Sequence, residues 1–118
     1  MSFLLLIIEP RGQRDTRTED EGKQLYADMV QFGEGLAARG LLLASQSLRA
    51  DQHGVRVPLR DGKLALRDGP FTEAKEMVGG FYLLDGVTHE EAVTIAGQCP
   101  AAAWATVEVR EIAPCYVN

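Results

Sequence analysis

The chain is short of cysteine, histidine and basic charge, and it contains no long apolar run. Its two cysteines, Cys99 and Cys115, are too few and too far apart for a C-x-x-C redox or zinc pattern. They read as two reduced thiols, since small cytosolic domains rarely carry bridges. His53 and His89 are widely separated with no clustered carboxylates beside them, so no metal-ligand spacing arises. No glycine-rich loop opens a helix as a phosphate cradle would. Ser45 and Ser47 lack both a nucleophile-elbow context and a partnered histidine. Neither a metal nor a cofactor is implied.

Seventeen acids against twelve Lys and Arg leave a net charge of −5, which repels phosphate backbones and anionic lipid. The reading is no nucleic acid and no membrane. The one basic grouping, Arg11, Arg14 and Arg17, is interleaved with Asp15, Glu19 and Asp20 and reads as a solvated loop. The longest apolar start, Phe3 to Ile8, has no charged leader and falls far short of the ~20 residues a membrane span needs. It is a strand, and a cytoplasmic protein is the expectation. With 46% hydrophobic and 25% charged residues, 118 positions suit one soluble domain spanning residues 1–118.

What is present is a regular alternation of elements. Residues 3–8 form an apolar strand, and residues 9–17 a polar loop. Thr18 and Glu21 make a capping box, after which Leu25, Met29, Phe32 and Leu36 mark one helix face up to Gly40. Gly33 and Gly35 inside that helix each cost ~1 kcal/mol relative to Ala, which close packing would explain. Leu41 to Leu48 is a second strand. Val55 to Leu59 and Lys63 to Arg67 flank Asp61-Gly62, a type I′ hairpin signal, with Pro58 at a strand end. Gly80 to Asp85 is another strand, and Thr88 with Glu91 caps a second helix. That helix turns Ala92, Ile95, Ala96 and Cys99 to the core before Pro100 stops it. Thr106 to Ile112 closes the chain with Val107 and Val109 inward.

Two β-α-β halves around an inserted β-hairpin predict an α+β, ferredoxin-like sandwich with both helices on one face of a largely antiparallel sheet. The opposite face, with Leu4, Leu6, Phe81 and Leu83 among its candidates, then needs a cover. A second copy packing sheet to sheet supplies it, so a homodimer is expected.

Between the hairpin and the next strand lies Asp68-Gly69-Pro70-Phe71, followed by Thr72-Glu73-Ala74-Lys75-Glu76 and Gly79-Gly80. With Val55-Arg56-Val57, Arg60-Asp61-Gly62-Lys63, Gly79 to Asp85 and Val107 to Arg110, this block resembles the YCII-related, DGPF-domain proteins over nearly the whole chain. The resemblance implies a dimeric α/β barrel built from ferredoxin-like subunits. It also implies a small bacterial protein of unsettled activity, from a family sometimes encoded beside extracytoplasmic-function sigma factors. Some distant relatives use a His-Asp pair, but here no histidine precedes His53. Gln46 stands where many relatives have Glu.

Shaped loops on a rigid scaffold are where small domains place function. Asp68 has two readings: a turn residue accepting local backbone N–H groups, or a general base at the mouth of a cleft. Glu73 and Lys75 are either solvated charges or groups that orient a polar ligand. Phe71 is a loop anchor or a stacking platform. Tyr82, across the Gly79-Gly80 bend, is placed to bring its hydroxyl to the same cleft. Arg56 either pairs with Glu108 across strands or lines that cleft. Three functions follow from this: an enzyme performing proton transfer on a small metabolite at Asp68, a non-catalytic small-ligand binder, or a protein-interaction module, for which the family resemblance implies a link to sigma-factor regulation.

Overall fold

In β1 (Ser2–Pro10), alternate side chains point to opposite faces. Phe3, Leu5 and Ile7 are buried at 0%, 0% and 3% exposure, whereas Leu4, Leu6 and Ile8 on the other face are only partly covered. The computed structural model describes residues 1–118 and builds the rest on this strand. After β1 come α1 (Glu19–Ala38), β2 (Leu42–Ser47) and an arm of four two-residue strands. These are β3 (Val55–Arg56), β4 (Leu59–Arg60), β5 (Lys63–Leu64) and β6 (Arg67–Asp68). Then follow β7 (Glu76–Asp85), α2 (His89–Gln98) and β8 (Thr106–Glu111).

The main sheet has the order β2-β7-β1-β8 with antiparallel neighbours, which is the ferredoxin-like arrangement expected. Both capping boxes are formed. Thr18 Oγ1 accepts from the Glu21 N–H at 3.2 Å and Thr88 Oγ1 from the Glu91 N–H at 3.1 Å, each glutamate answering the cap's own N–H. From α1, Leu36 enters the core beside Ala92, Ile95 and Ala96 of α2, with Cys99 just beyond. Gly33 is where α1 approaches the sheet, since a Cβ there would stand 3.2 Å from the Tyr82 ring. Gly35 has open space and no such reason.

The arm pairs β3 with β6 and β4 with β5, broken at Pro58, and turns at Asp61 and Gly62 with φ of 52° and 74°. Positive φ at both positions is the type I′ geometry. Neither side of the arm is covered: Val55, Val57, Leu59, Leu64 and Leu66 are all more than half exposed.

One boundary differs from expectation. β7 begins at Glu76, not Gly80, because β1 extends to Pro10 and pairs with it there. Gly79 and Gly80 therefore lie inside a strand, and Gly79 is the extra residue of a β-bulge opposite Ile7 and Ile8. No helix is long and apolar enough to cross a membrane.

Candidate functional site

The C-terminal half of α1 is pulled onto the sheet at Gly33, while its N-terminal half leaves a cavity of about 450 Å³ beneath it. Gly22, Leu25, Tyr26 and Met29 form the helix wall. Ile7, Glu9, Ser45 and Tyr82 come from the sheet, and Arg14, Arg17 and Trp104 complete the lining.

Glu9 continues the parity of Phe3, Leu5 and Ile7, so its carboxylate is carried to the buried face at 3% exposure. Arg14 meets it with two parallel bonds, Nε to Oε1 at 2.9 Å and Nη2 to Oε2 at 2.7 Å. The fork geometry of guanidinium suits that bidentate contact. Arg14 also donates to the Leu48 carbonyl at 2.8 Å. Its bond to Glu9 is the main cause of its raised pKa, working against burial. The bulge at Gly79 is what admits the carboxylate, since a Cβ there would overlap it.

Tyr82 donates its hydroxyl to the Met29 carbonyl at 2.6 Å, and Phe32 meets its ring edge-on. Burial raises the Tyr82 pKa, with Cys99 adding to the rise, so its proton stays in place. Trp104 carries the Arg17 guanidinium 4.7 Å from its ring centre, and its carbonyl accepts from Gln13 Nε2 at 2.5 Å.

The sequence-predicted residues divide. Arg56, Phe71 and Glu73 come together at the base of the arm. Arg56 stacks over Phe71 at 3.8 Å from the ring centre, Arg67 follows at 5.7 Å, and Glu73 bonds Arg67 at 2.7 Å and Arg56 at 3.5 Å. Phe71 itself is 6% exposed and anchors the loop. A bond from the Glu73 backbone N–H and then the one from Arg67 lower the Glu73 pKa. Arg56 thus pairs with Glu73, and Glu108 is taken by Arg110 at 3.7 Å instead. Asp68 is exposed on β6. Lys75 contributes its carbonyl, which accepts from the Arg11 N–H at 2.9 Å, while its side chain is exposed. Tyr82 stands apart from this group, beneath α1.

The loop is held by a residue outside it. Asp51 accepts from the Phe71 N–H at 3.3 Å and pairs with Arg11, which also donates from Nε to the Ala74 carbonyl at 2.6 Å. The bond from Arg11 is the largest cause of the lowered Asp51 pKa. Arg11, Arg14 and Asp51 line a smaller, polar cavity of about 240 Å³ with Pro70 and Thr72. The three arginines are therefore not a solvated loop: each has a built partner, in Asp51, Glu9 and the Trp104 ring. No three His, Cys, Asp or Glu side chains converge as metal ligands would.

The model of the YCII-related domain matches residues 1–115. No curated protein matches the chain. A solved structure of similar fold is that of 5-chloro-2-hydroxyhydroquinone dehydrochlorinase from Burkholderia phenoliruptrix, in complex with 2,5-dihydroxybenzoquinone. The two agree with a TM-score of 0.55 over 96% of this chain and 94% of the other. At 17% identity the likeness is one of fold.

Proposed function

The chain belongs to the YCII-related family, and from that premise we propose that it binds a small molecule in the cavity beneath α1. The observation that carries this is the cavity itself, about 450 Å³ with an apolar wall and a few fixed polar groups. That size and lining suit a small organic ligand. The fold neighbour was solved with a six-membered-ring quinone, a ligand of suitable size for such a space. Binding is favoured over proton transfer because both carboxylates that line the cavity are already paired, Glu9 with Arg14 at 2.7 Å and Glu19 with Lys23 at 3.3 Å.

A second reading keeps acid–base chemistry at Asp68. In its favour, Arg56, Phe71 and Glu73 gather at the same base of the arm, where a polar ligand would meet several groups at once. A thermal-shift screen of metabolites separates the two when run on wild type, Asp68→Asn and Gly22→Leu. A Cβ on Gly22 meets nothing within 4 Å, so the larger residue enters open cavity space. Stabilisation lost in Gly22→Leu and kept in Asp68→Asn supports the cavity, and the reverse supports Asp68. No stabilisation by any ligand class overturns both and leaves a protein-interaction module.

The cavity reading is accompanied by a homodimer. Leu4, Leu6 and Ile8 of β1 and Phe81 and Leu83 of β7 share the face that neither helix covers. A second copy packed sheet to sheet would remove that apolar surface from water, at about 25 cal/mol per Å² buried. Light scattering at micromolar concentration tests it, and a monomer there sinks the pairing.

A further inference from the structure

The cavity beneath α1 holds one cation that no carboxylate of the chain neutralises. Glu9 and Arg14 neutralise each other, and Glu19 at the rim pairs with Lys23 one turn along the helix at 3.3 Å. Arg17 has only the Trp104 ring, at 4.7 Å. Stacking engages the flat face of a guanidinium and leaves its in-plane N–H donors for an acceptor. Leu25, Met29 and Tyr82 line the same space with apolar and aromatic surface.

We propose that the ligand is a small organic anion with a flat apolar body, its acid group paired with Arg17 beside Trp104. This inference rests on the cavity reading above and names its ligand class. The rest of the molecule opposes such a ligand, because the net charge of −5 repels anions at long range. A local cation beside an indole is what reverses that sign. The partly desolvated pairing is worth more than an exposed one, and salt weakens it. Arg17 is then a binding residue, while Arg14, engaged by Glu9 and two carbonyls, is a structural one.

Trp104 is the only tryptophan, so its emission reports occupancy directly. Benzoate and hydroxybenzoates are titrated against benzamide and the matching hydroxybenzamides, by emission and by calorimetry, at low and high salt. The acids bind at least about tenfold more tightly than their amides, the advantage shrinking with salt. Arg17→Gln brings acid and amide to parity, and Arg17→Lys restores part of the preference, with melting unchanged in both. Amides binding as tightly as acids, or Arg17→Gln leaving the acids unaffected, overturns the anion proposal and leaves the cavity reading standing. If no member of either series binds wild type, the anion proposal falls, and if Gly22→Leu binds them as wild type does, the cavity reading fails as well.

Discussion

Gly79 and Glu9 are packed so closely that no side chain fits between them. A Cβ on Gly79 would overlap the Glu9 carboxylate and stand 2.9 Å from Arg14 Nη2. The glycine is the bulged residue of β7, and its carbonyl accepts from the Leu48 N–H at 2.9 Å, tying β2 to the same point. Three strands thus meet at a half-buried ion pair, and the bulge is what makes room for its carboxylate.

Gly79→Ala is therefore expected to destabilise by about 3 kcal/mol or more, because either the bulge or the buried carboxylate must move. Gly35→Ala is the contrast. Its Cβ enters open space on α1, so the helix should gain up to ~1 kcal/mol. Thermal melts of the two variants should shift in opposite directions.

The pair itself gives the second prediction. Glu9 is nearly fully buried, whereas the Arg14 side chain keeps 30% of its exposure. Removing the arginine strands the more deeply buried charge, so Arg14→Met should cost more than Glu9→Gln: about 3 kcal/mol or more against roughly 2. Replacing both together should cost less than the sum, since no charge is then left unpaired. Denaturant titrations of the two single variants and the double variant check the order and the coupling.

The scaffold was legible where local chemistry decides. Thr18 with Glu21, Thr88 with Glu91 and Asp61-Gly62 each carry their own geometry within four residues, and all three formed as read. The site was legible only in part. Alternation that places Phe3, Leu5 and Ile7 inward also places Glu9 inward, and a carboxylate there calls for a cation, so the role of Arg14 was within reach of parity alone. The same rule sets Tyr82 with Leu84 on the helix face, opposite to Phe81 and Leu83 and away from Asp68. No local pattern could reveal Asp51 as the tether of Phe71, twenty positions along, or Trp104 beneath Arg17. Those contacts exist only once the sheet has brought distant segments together.

Asp51 and Asp68 bracket one loop and should behave differently. Asp68 is exposed, and the Phe71 N–H is taken by Asp51, so Asp68→Asn should leave stability within ~0.5 kcal/mol of wild type. Asp51 has a folded pKa below its ordinary value of 3.8, mainly through the bond from Arg11. In the window between the folded pKa and 3.8 the unfolded chain binds more protons, so the stability this carboxylate supplies is in place above 3.8 and lost as pH falls through the folded value. Asp51→Asn should flatten that acid limb in melts run at falling pH, and Asp68→Asn should not.

Tyr82 governs the opposite end of the pH scale. Burial, and then Cys99, lift its pKa well above the ordinary 10.0, so above pH 10.0 the unfolded chain loses a proton that the folded chain keeps. With more protons bound in the folded state, stability falls as pH rises. Tyr82→Phe removes both the titration and the bond to the Met29 carbonyl. At neutral pH the variant should be about 1 kcal/mol less stable, the usual net worth of such a bond. Its stability should decline less steeply above pH 10.0, so the two curves converge. Denaturant midpoints between neutral and alkaline pH decide this. Parallel declines in the two proteins would mean that the hydroxyl is open to solvent and that α1 does not seal this end of the cavity.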